Sequence, residues 1–431
     1  MTLTAGPTAT LSFAKSDELR ERAKRAIPAG AHTYSKGDDQ FPERSPGFLV
    51  RGKGCRVWDA DGNEFLDWGM GLRSTILGHA NEEVLAAVRP VIELGANFIR
   101  PTPLEVELAE QLIDLIPCAE MVKFAKNGSD VTTAAVKLAR AHTGRDIIVR
   151  CLDNPFFSVD DWFIGDTVVD AGIPQAVKNL TRNFRYNDLE SLRQTLEAHR
   201  GNVACVILEP ASTVEPQPGF LEGVQALARE HGAVLIFDEI ISGFRWHARG
   251  AQSYYGVTPD LATFGKAIAN GFALAALVGR RDIMELGGLN HDKPRVFLLS
   301  TTNGAETHAL AAGKATIGIL VRDDVPKQLW RTGQALMQGF NEVARDLGVE
   351  RNAFFTGIAC SPYQMFLGRD GKVDLSLRTL YLQEMIRQHI LPPYFAISAA
   401  HGEREVAQTL EASRNALLVV REALERGTTD G

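Results

Sequence analysis

From about residue 81 onward, apolar positions gather into short continuous runs separated by longer amphipathic stretches. Met121–Ala125, Asp146–Arg150, Val203–Leu208 and Ala233–Phe237 are such runs, each beside a segment with helical apolar spacing. Strands that are apolar throughout are buried on both faces, and strands alternating with helices build a parallel sheet covered on both sides. The pattern predicts an α/β chain. Before residue 81 it differs. Ser16, followed by Asp17, Glu18 and Leu19, reads as the N-cap of a helix that Pro28 and Gly30 end, and residues 1 to about 14 read as a loose tail. Phe48–Val50, Arg56–Trp58 and Glu64–Trp68, parted by Gly52-Lys53-Gly54 and Asp61-Gly62-Asn63, read as a small antiparallel meander. A long helical region begins after Gly304, a polar-rich segment covers Asp323–Arg351, and strands at Ala353–Ile358 and Tyr363–Leu367 mix with helices through Glu425. The expected organisation is a meander segment (1–75) joining a small α+β domain (316–431), with a large domain between (76–315).

Composition narrows the partners. The chain has 431 residues, 45% hydrophobic and 23% charged, enough for two cored domains. Its 46 Lys plus Arg stand against 53 Asp plus Glu, a net charge of -7 that argues against a nucleic-acid or anionic-membrane partner and for a small molecule. The five cysteines (Cys55, Cys118, Cys151, Cys205, Cys360) are scattered without a CxxC pair, so neither disulfides nor a metal site is expected and a reducing cytoplasm fits. No secretion signal is visible at the N-terminus. The longest apolar stretch, Gly271–Gly279, is far below the roughly 20 residues of a membrane span.

Three features carry chemistry. The run Val234–Phe237 ends in Asp238, and the carboxyl end of a parallel strand is where ligands sit. Alone, such an Asp is as readily a turn cap. In Thr263-Phe264-Gly265-Lys266, a lysine follows a short apolar strand between small residues, where desolvation lowers its pKa and makes it a nucleophile toward carbonyls. Alone, it is as readily a solvated surface lysine. Lys126-Asn127-Gly128-Ser129-Asp130 passes from strand to helix, and exposed N–H groups at a helix start bind phosphate. The three in this order meet the needs of pyridoxal phosphate: a phosphate anchor, a carboxylate for the pyridinium nitrogen and a lysine for the aldehyde.

The chain resembles the class III (fold type I) pyridoxal phosphate aminotransferases, most closely the glutamate-1-semialdehyde 2,1-aminomutase branch, over about residues 20 to 420. The resemblance rests on Phe237-Asp238-Glu239-Ile240-Ile241-Ser242-Gly243-Phe244-Arg245, Thr263–Lys266, Val206-Ile207-Leu208-Glu209-Pro210 and Trp58–Asn63. It implies a large domain with a mainly parallel seven-stranded sheet and pyridoxal 5'-phosphate as cofactor. It further implies that Lys266 bonds the cofactor's aldehyde carbon, Asp238 pairs with its ring nitrogen, Ile240 packs on one ring face, and Gly128 and Ser129 hold its phosphate. Glu209 falls in the matched motif and is taken as a cofactor contact. Thr302 matches the threonine that reaches a neighbouring subunit's phosphate, which implies a homodimer with shared active sites.

Departures from the family pattern shape the functional expectation. An aromatic of a Tyr-His-Gly segment usually stacks on the cofactor; here the chain reads Asp153-Asn154-Pro155-Phe156-Phe157-Ser158, so Phe157, or Phe156, takes that place unless both are core. The Gly/Ser-rich gating loop and the C-terminal amine-gripping glutamate of the aminomutases have no counterpart in 157–175 or Leu391–Ser398. A mutase must retain its diamine intermediate, so their loss favours two-substrate transamination from L-glutamate to a keto acid or keto sugar. The branch includes enzymes acting on an octulosonate and a 3-aminobenzoate synthase that aminates 3-dehydroshikimate. Lys36 aligns with an arginine that faces the substrate carboxylate, and Arg73 stands where a tryptophan is usual; both are candidate substrate residues unless they are solvated loop cations. The rival readings are the aminomutase itself and a non-catalytic cofactor-binding regulator.

Overall fold

The structure, a computed structural model, describes residues 11–428. Most of the tail expected at 1–14 lies outside them, and its described end is not loose: Phe13 is buried among Val57, Phe65 and Leu382. The chain divides into two compact units. Of the described residues, one contains 11–70, Gly78–Ala80 and 331–428; the other contains Gly71–Leu77 and Asn81–Trp330. The sequence placed the divisions at 75/76 and 315/316. The later one falls further along because the helix Thr307–Arg322, with Leu310, Ile317 and Leu320 buried, is continuous with the large unit.

In the smaller unit, β1 (Leu49–Lys53), β2 (Arg56–Asp59) and β3 (Glu64–Asp67) form the expected antiparallel meander. Its turn corrects the reading of Ser16 as an N-cap. The first helix begins at Ala14, with Ser16 inside it and buried, because the Asp61 carboxylate from the β2–β3 turn accepts the Lys15 N–H (2.8 Å) and the Ser16 N–H (2.9 Å). A residue 45 positions away thus satisfies donors that a local cap would otherwise take.

The larger unit is built on seven strands: β4 (Met121–Ala125), β5 (Ile147–Cys151), β6 (Thr181–Phe184), β7 (Val203–Leu208), β8 (Val234–Asp238), β9 (Leu261–Phe264) and β10 (Ala275–Gly279). Their spatial order is β4-β10-β9-β8-β7-β5-β6, and every pairing is parallel except those of β10, which runs antiparallel to both neighbours. Strands β5, β7, β8, β9 and β10 are buried along their whole length, as continuous apolar runs require. This is the α/β class expected from the sequence.

The smaller unit is completed by the chain after Trp330. The polar-rich segment is mostly the helix Val325–Asp346, whose Leu336, Phe340 and Ala344 are buried; Phe340 meets Phe355 edge-on at 4.9 Å. Phe355 lies on β11 (Ala353–Ile358), which pairs antiparallel with β12 (Ser361–Phe366). A two-residue strand, β13 (Ile390–Leu391), adds in parallel to β3 and makes the meander four-stranded.

Candidate active site

The carboxyl ends of β7, β8 and β9 and the turn after β4 converge on a cavity of about 240 Å³ in the larger unit. Lys126, Gly128, Ser129, Glu209, Asp238, Ile240 and Lys266 line it, together with both Phe156 and Phe157. Eight of the residues singled out from the sequence are therefore brought together by the end-of-strand geometry of a parallel sheet.

Gly128 opens the helix Gly128–Thr143, which Asn127 and Asp130 close with a capping box; the Asn127 N–H donates to Asp130 Oδ2 at 2.9 Å. A Cβ on Gly128 would stand 3.2 Å from Ile240 Cδ1, and one on Gly265 would stand 2.9 Å from the same atom. Ile240 thus occupies the space that two bare Cα positions leave. Ser129 Oγ accepts the Val159 N–H at 3.0 Å, and Thr132 Oγ1 donates to the Phe157 carbonyl at 2.7 Å, so the helix's first turn fixes the segment carrying the two phenylalanines. Phe157 is buried, edge-on to Phe163 at 5.7 Å, whereas Phe156 is half exposed.

Asp238 closes β8. Its Oδ1 accepts the Ile240 N–H at 2.9 Å and the Thr263 hydroxyl at 3.1 Å, which leaves Oδ2 for a further donor. Burial pushes its carboxyl up to about 6, against the pull of the Ile240 N–H and the Lys266 charge. Glu209 follows β7, its N–H held by Asn154 Oδ1 at 3.1 Å. Burial, then the Asp238 charge, push it up to about 8, while Lys266 and Arg73 oppose them; its Oε2 is buried with no hydrogen-bond partner. Lys266 follows β9 with a φ of +39°, in the left-handed region. Burial pushes its ammonium below the lysine range, Asp238 and Glu209 pull it back up, and Arg73 and Arg245 add to the depression.

Not every candidate lines this cavity. Arg73 belongs to the same unit and acts electrostatically on both Glu209 and Lys266. It ends a run of four positive φ values (Met70 +42°, Gly71 +58°, Leu72 +59°, Arg73 +69°), a left-handed turn. Thr302 is exposed, its carbonyl accepting from Asn97 Nδ2 at 2.9 Å. Lys36 is exposed on the short turn Tyr34–Lys36 of the other unit. The sequence reading passed over Lys126, Asn154, Thr263 and Arg245. Lys126 pairs with Glu306 at 2.5 Å, and Arg245 is buried with Nη2 donating to the Arg73 carbonyl at 3.3 Å. For Thr263 the available signal was its place three residues before the lysine. For Arg245 it was only its place at the end of the Phe237–Arg245 motif, because burial of an arginine is not written in a periodicity.

These features fit pyridoxal phosphate. Two glycines make a cradle that a Cβ would fill, a helix start faces the cavity beside them, a carboxylate keeps one oxygen for a ring N–H, and Glu209 Oε2 lacks a partner. The family model described as aminotransferase class-III matches residues 40–351. The chain is 36% identical over 424 residues to the 3-aminobutyryl-CoA aminotransferase of Cloacimonas acidaminovorans, covering 96% of this chain and 99% of that one. It is 34% identical over 437 residues to the glutamate-1-semialdehyde 2,1-aminomutase of Syntrophobacter fumaroxidans (95% and 98%). Among solved structures, the FumI protein of Sphingopyxis sp. MTA144 in its PLP internal aldimine form superposes with a TM-score of 0.88 at 28% identity, over 96% of this chain and 98% of that one. The fold is that of the fold type I pyridoxal phosphate enzymes, and the chain belongs to the class-III aminotransferases as a pyridoxal 5'-phosphate-dependent transaminase.

Proposed function

We propose that this transaminase moves the amino group of L-glutamate to an acid-bearing keto acceptor of a biosynthetic pathway, a keto acid or keto sugar acid, in two half-reactions at one site. The observation that carries this reading is the convergence of Lys266, Asp238 and Glu209 on one cavity beside the helix start at Gly128 and Ser129, with the Arg73 and Arg245 charges acting on the same amine. When bound, the cofactor supplies an aldehyde for the amine and an electron-accepting ring. Asp238 Oδ2 holds a proton at the ring nitrogen, its Oδ1 being fixed by Ile240 and Thr263. Gly128 and Ser129 would hold the phosphate at their helix start, and Ile240 with Phe157 or Phe156 would flank the ring. Glu209 Oε2 accepts a donor of the cofactor or substrate. Lys266 Nζ, whose ammonium form burial disfavours, would move the proton between substrate and bound cofactor. Arg73 receives the substrate carboxylate.

We further propose a cytoplasmic homodimer with shared sites, in which Thr302 serves the neighbouring copy. Support comes from the apolar residues that the larger unit leaves in solvent beside it: Leu94 is 79% and Ile99 100% exposed, and Asn97 between them bonds the Thr302 carbonyl. Exposed aliphatic runs of this kind mark association surfaces.

The test is the absorption spectrum of the cofactor-loaded protein before and after L-glutamate, without acceptor. Conversion of the visible band to the pyridoxamine form, with release of 2-oxoglutarate, is expected. An unchanged band would overturn the glutamate reading, and a response to a diamine or amino aldehyde instead would install the aminomutase reading, which the 34% identical relative supports.

A further inference from the structure

A second cavity, of about 250 Å³, opens at the amino ends of β8 and β9, the ends opposite Asp238 and Lys266. Val234 and Leu235 form its floor, and Asp260, His142, Arg229 and Arg280 bring polar groups to it. The helix Gly128–Thr143 begins at the first cavity and ends at the second, with His142 in its last turn, about 21 Å along the axis from Gly128 at 1.5 Å per residue.

The polar groups fall into two kinds. Arg280 and Asp260 are committed to the fold. Asp260 Oδ1 accepts from Arg280 Nη1 at 2.7 Å and Oδ2 from the Leu235 N–H at 2.8 Å, while Arg280 also forks onto Asp282 at 2.7 and 3.0 Å. His142 and Arg229 are not. His142 is half-buried with its Nδ1 shielded and without a hydrogen-bond partner, and Arg229, exposed at the cavity's rim, pairs with no carboxylate among the described residues. A cavity with a buried, unmatched nitrogen inside it and an exposed, unpaired guanidinium at its rim suits an occupant that supplies a donor to the first and an anion to the second.

We propose that this cavity is a second binding site, for a small amino carboxylate whose carboxylate pairs with Arg229 and whose amino group meets His142 Nδ1 and Asp260. The orientation follows from charge. His142 and Arg229 sit in the last turns of their helices, whose carboxyl ends favour a cationic ammonium, so only the guanidinium of Arg229 offers an anion a site. The Asp260 carboxylate has lone pairs beyond the two it uses. Burial, with Arg280 and Lys293, pushes the imidazole of His142 below the histidine range against Asp282 and Asp260, which keeps Nδ1 able to accept. The ligand class is that of a transaminase's own donors and products, held on the strands that end at the reacting site.

The test is calorimetric titration of the cofactor-loaded protein with 2-aminoisobutyrate, whose central carbon has no hydrogen for Lys266 to remove. Arg229→Ala and His142→Gln are each expected to weaken binding at least tenfold, while Arg73→Ala leaves it unchanged and the visible cofactor band stays constant through saturation. Isobutyrate, lacking the amine, should bind at least tenfold more weakly. Absence of binding to the parent protein, or binding that Arg73→Ala removes and Arg229→Ala does not, overturns the second site. Because the readout is binding away from the cofactor, it stands or falls apart from the glutamate half-reaction.

Discussion

Lys266 holds an unusual backbone conformation and an unusual charge environment at once. A φ of +39° is costly for a residue with a side chain, and such strain persists where the surrounding structure dictates it, commonly at functional sites. Lys266→Ala should abolish the visible band of the loaded protein and lower transamination at least about 10³-fold, within the range for removal of a proton-transfer group combined with loss of the covalent anchor. Absorbance and a coupled keto acid assay read the two effects. Glu209 permits a different prediction. Its carboxyl rises from 4.5 to about 8 on folding, so the folded state holds the proton more tightly than the unfolded state. Stability from this group is fully present below about pH 4.5 and is lost as pH rises through about 8. Glu209→Gln, which mimics the protonated form, should raise the cofactor-free melting temperature by a few degrees at pH 8.5 and hardly at pH 5. Equal effects at both pH values would remove Glu209 as the cause. Lys266 and Asp238 were legible in the sequence because each terminates an apolar strand run. Arg73 was legible only as a departure from a family pattern, since the left-handed turn that carries it has no hydrophobic period.

At the scale of elements, the continuous apolar strands and the Gly128 helix start could be read directly, whereas features created by contact between distant segments could not. Ser16 has the residue type of an N-cap and loses that position to a carboxylate that only folding brings near. Asp61→Ala should therefore cost about 1 kcal/mol of stability, the usual worth of a cap, without altering turnover; urea unfolding would measure it. The two-residue strand β13 is too short to show a period, and the polar face of Val325–Asp346 masked its apolar stripe. A further element-level prediction concerns the wedge between the turns after β4 and β9. Gly265→Ala would put a Cβ within 2.9 Å of Ile240 Cδ1, and the isoleucine, having no slack toward Gly128, must move into the cavity. Cofactor affinity should fall about tenfold, an effect of 1.4 kcal/mol. Ile240→Ala in the same chain should restore part of it by removing the colliding atom. Failure of the double variant to recover any affinity would show that the loss comes from the Gly265 backbone instead.

For the whole molecule the decisive question is whether one chain completes its own site. If Thr302 serves the neighbouring copy, a chain carrying Lys266→Ala and a chain carrying Thr302→Ala are each impaired alone. A hybrid pair concentrates both lesions in one site and leaves the other intact. Random re-pairing of equal amounts makes half the dimers hybrid, each with one intact site, so roughly a quarter of the parental activity should return. Thr302→Ala alone should weaken cofactor binding, because its hydroxyl is the group in question, and the Asn97 bond to the Thr302 carbonyl survives the change. Replacing Ile99, fully exposed in the single chain, with Asp should lower the sedimentation coefficient to that of a monomer and remove activity together with it, since a charge in an apolar interface costs several kcal/mol once desolvated. Recovery of activity in the mixed sample above the sum of the two chains assayed apart would establish that the active site is built by two copies. If the Thr302→Ala chain keeps full activity on its own, the site is complete within one chain and the exposed run around Ile99 serves association without chemistry.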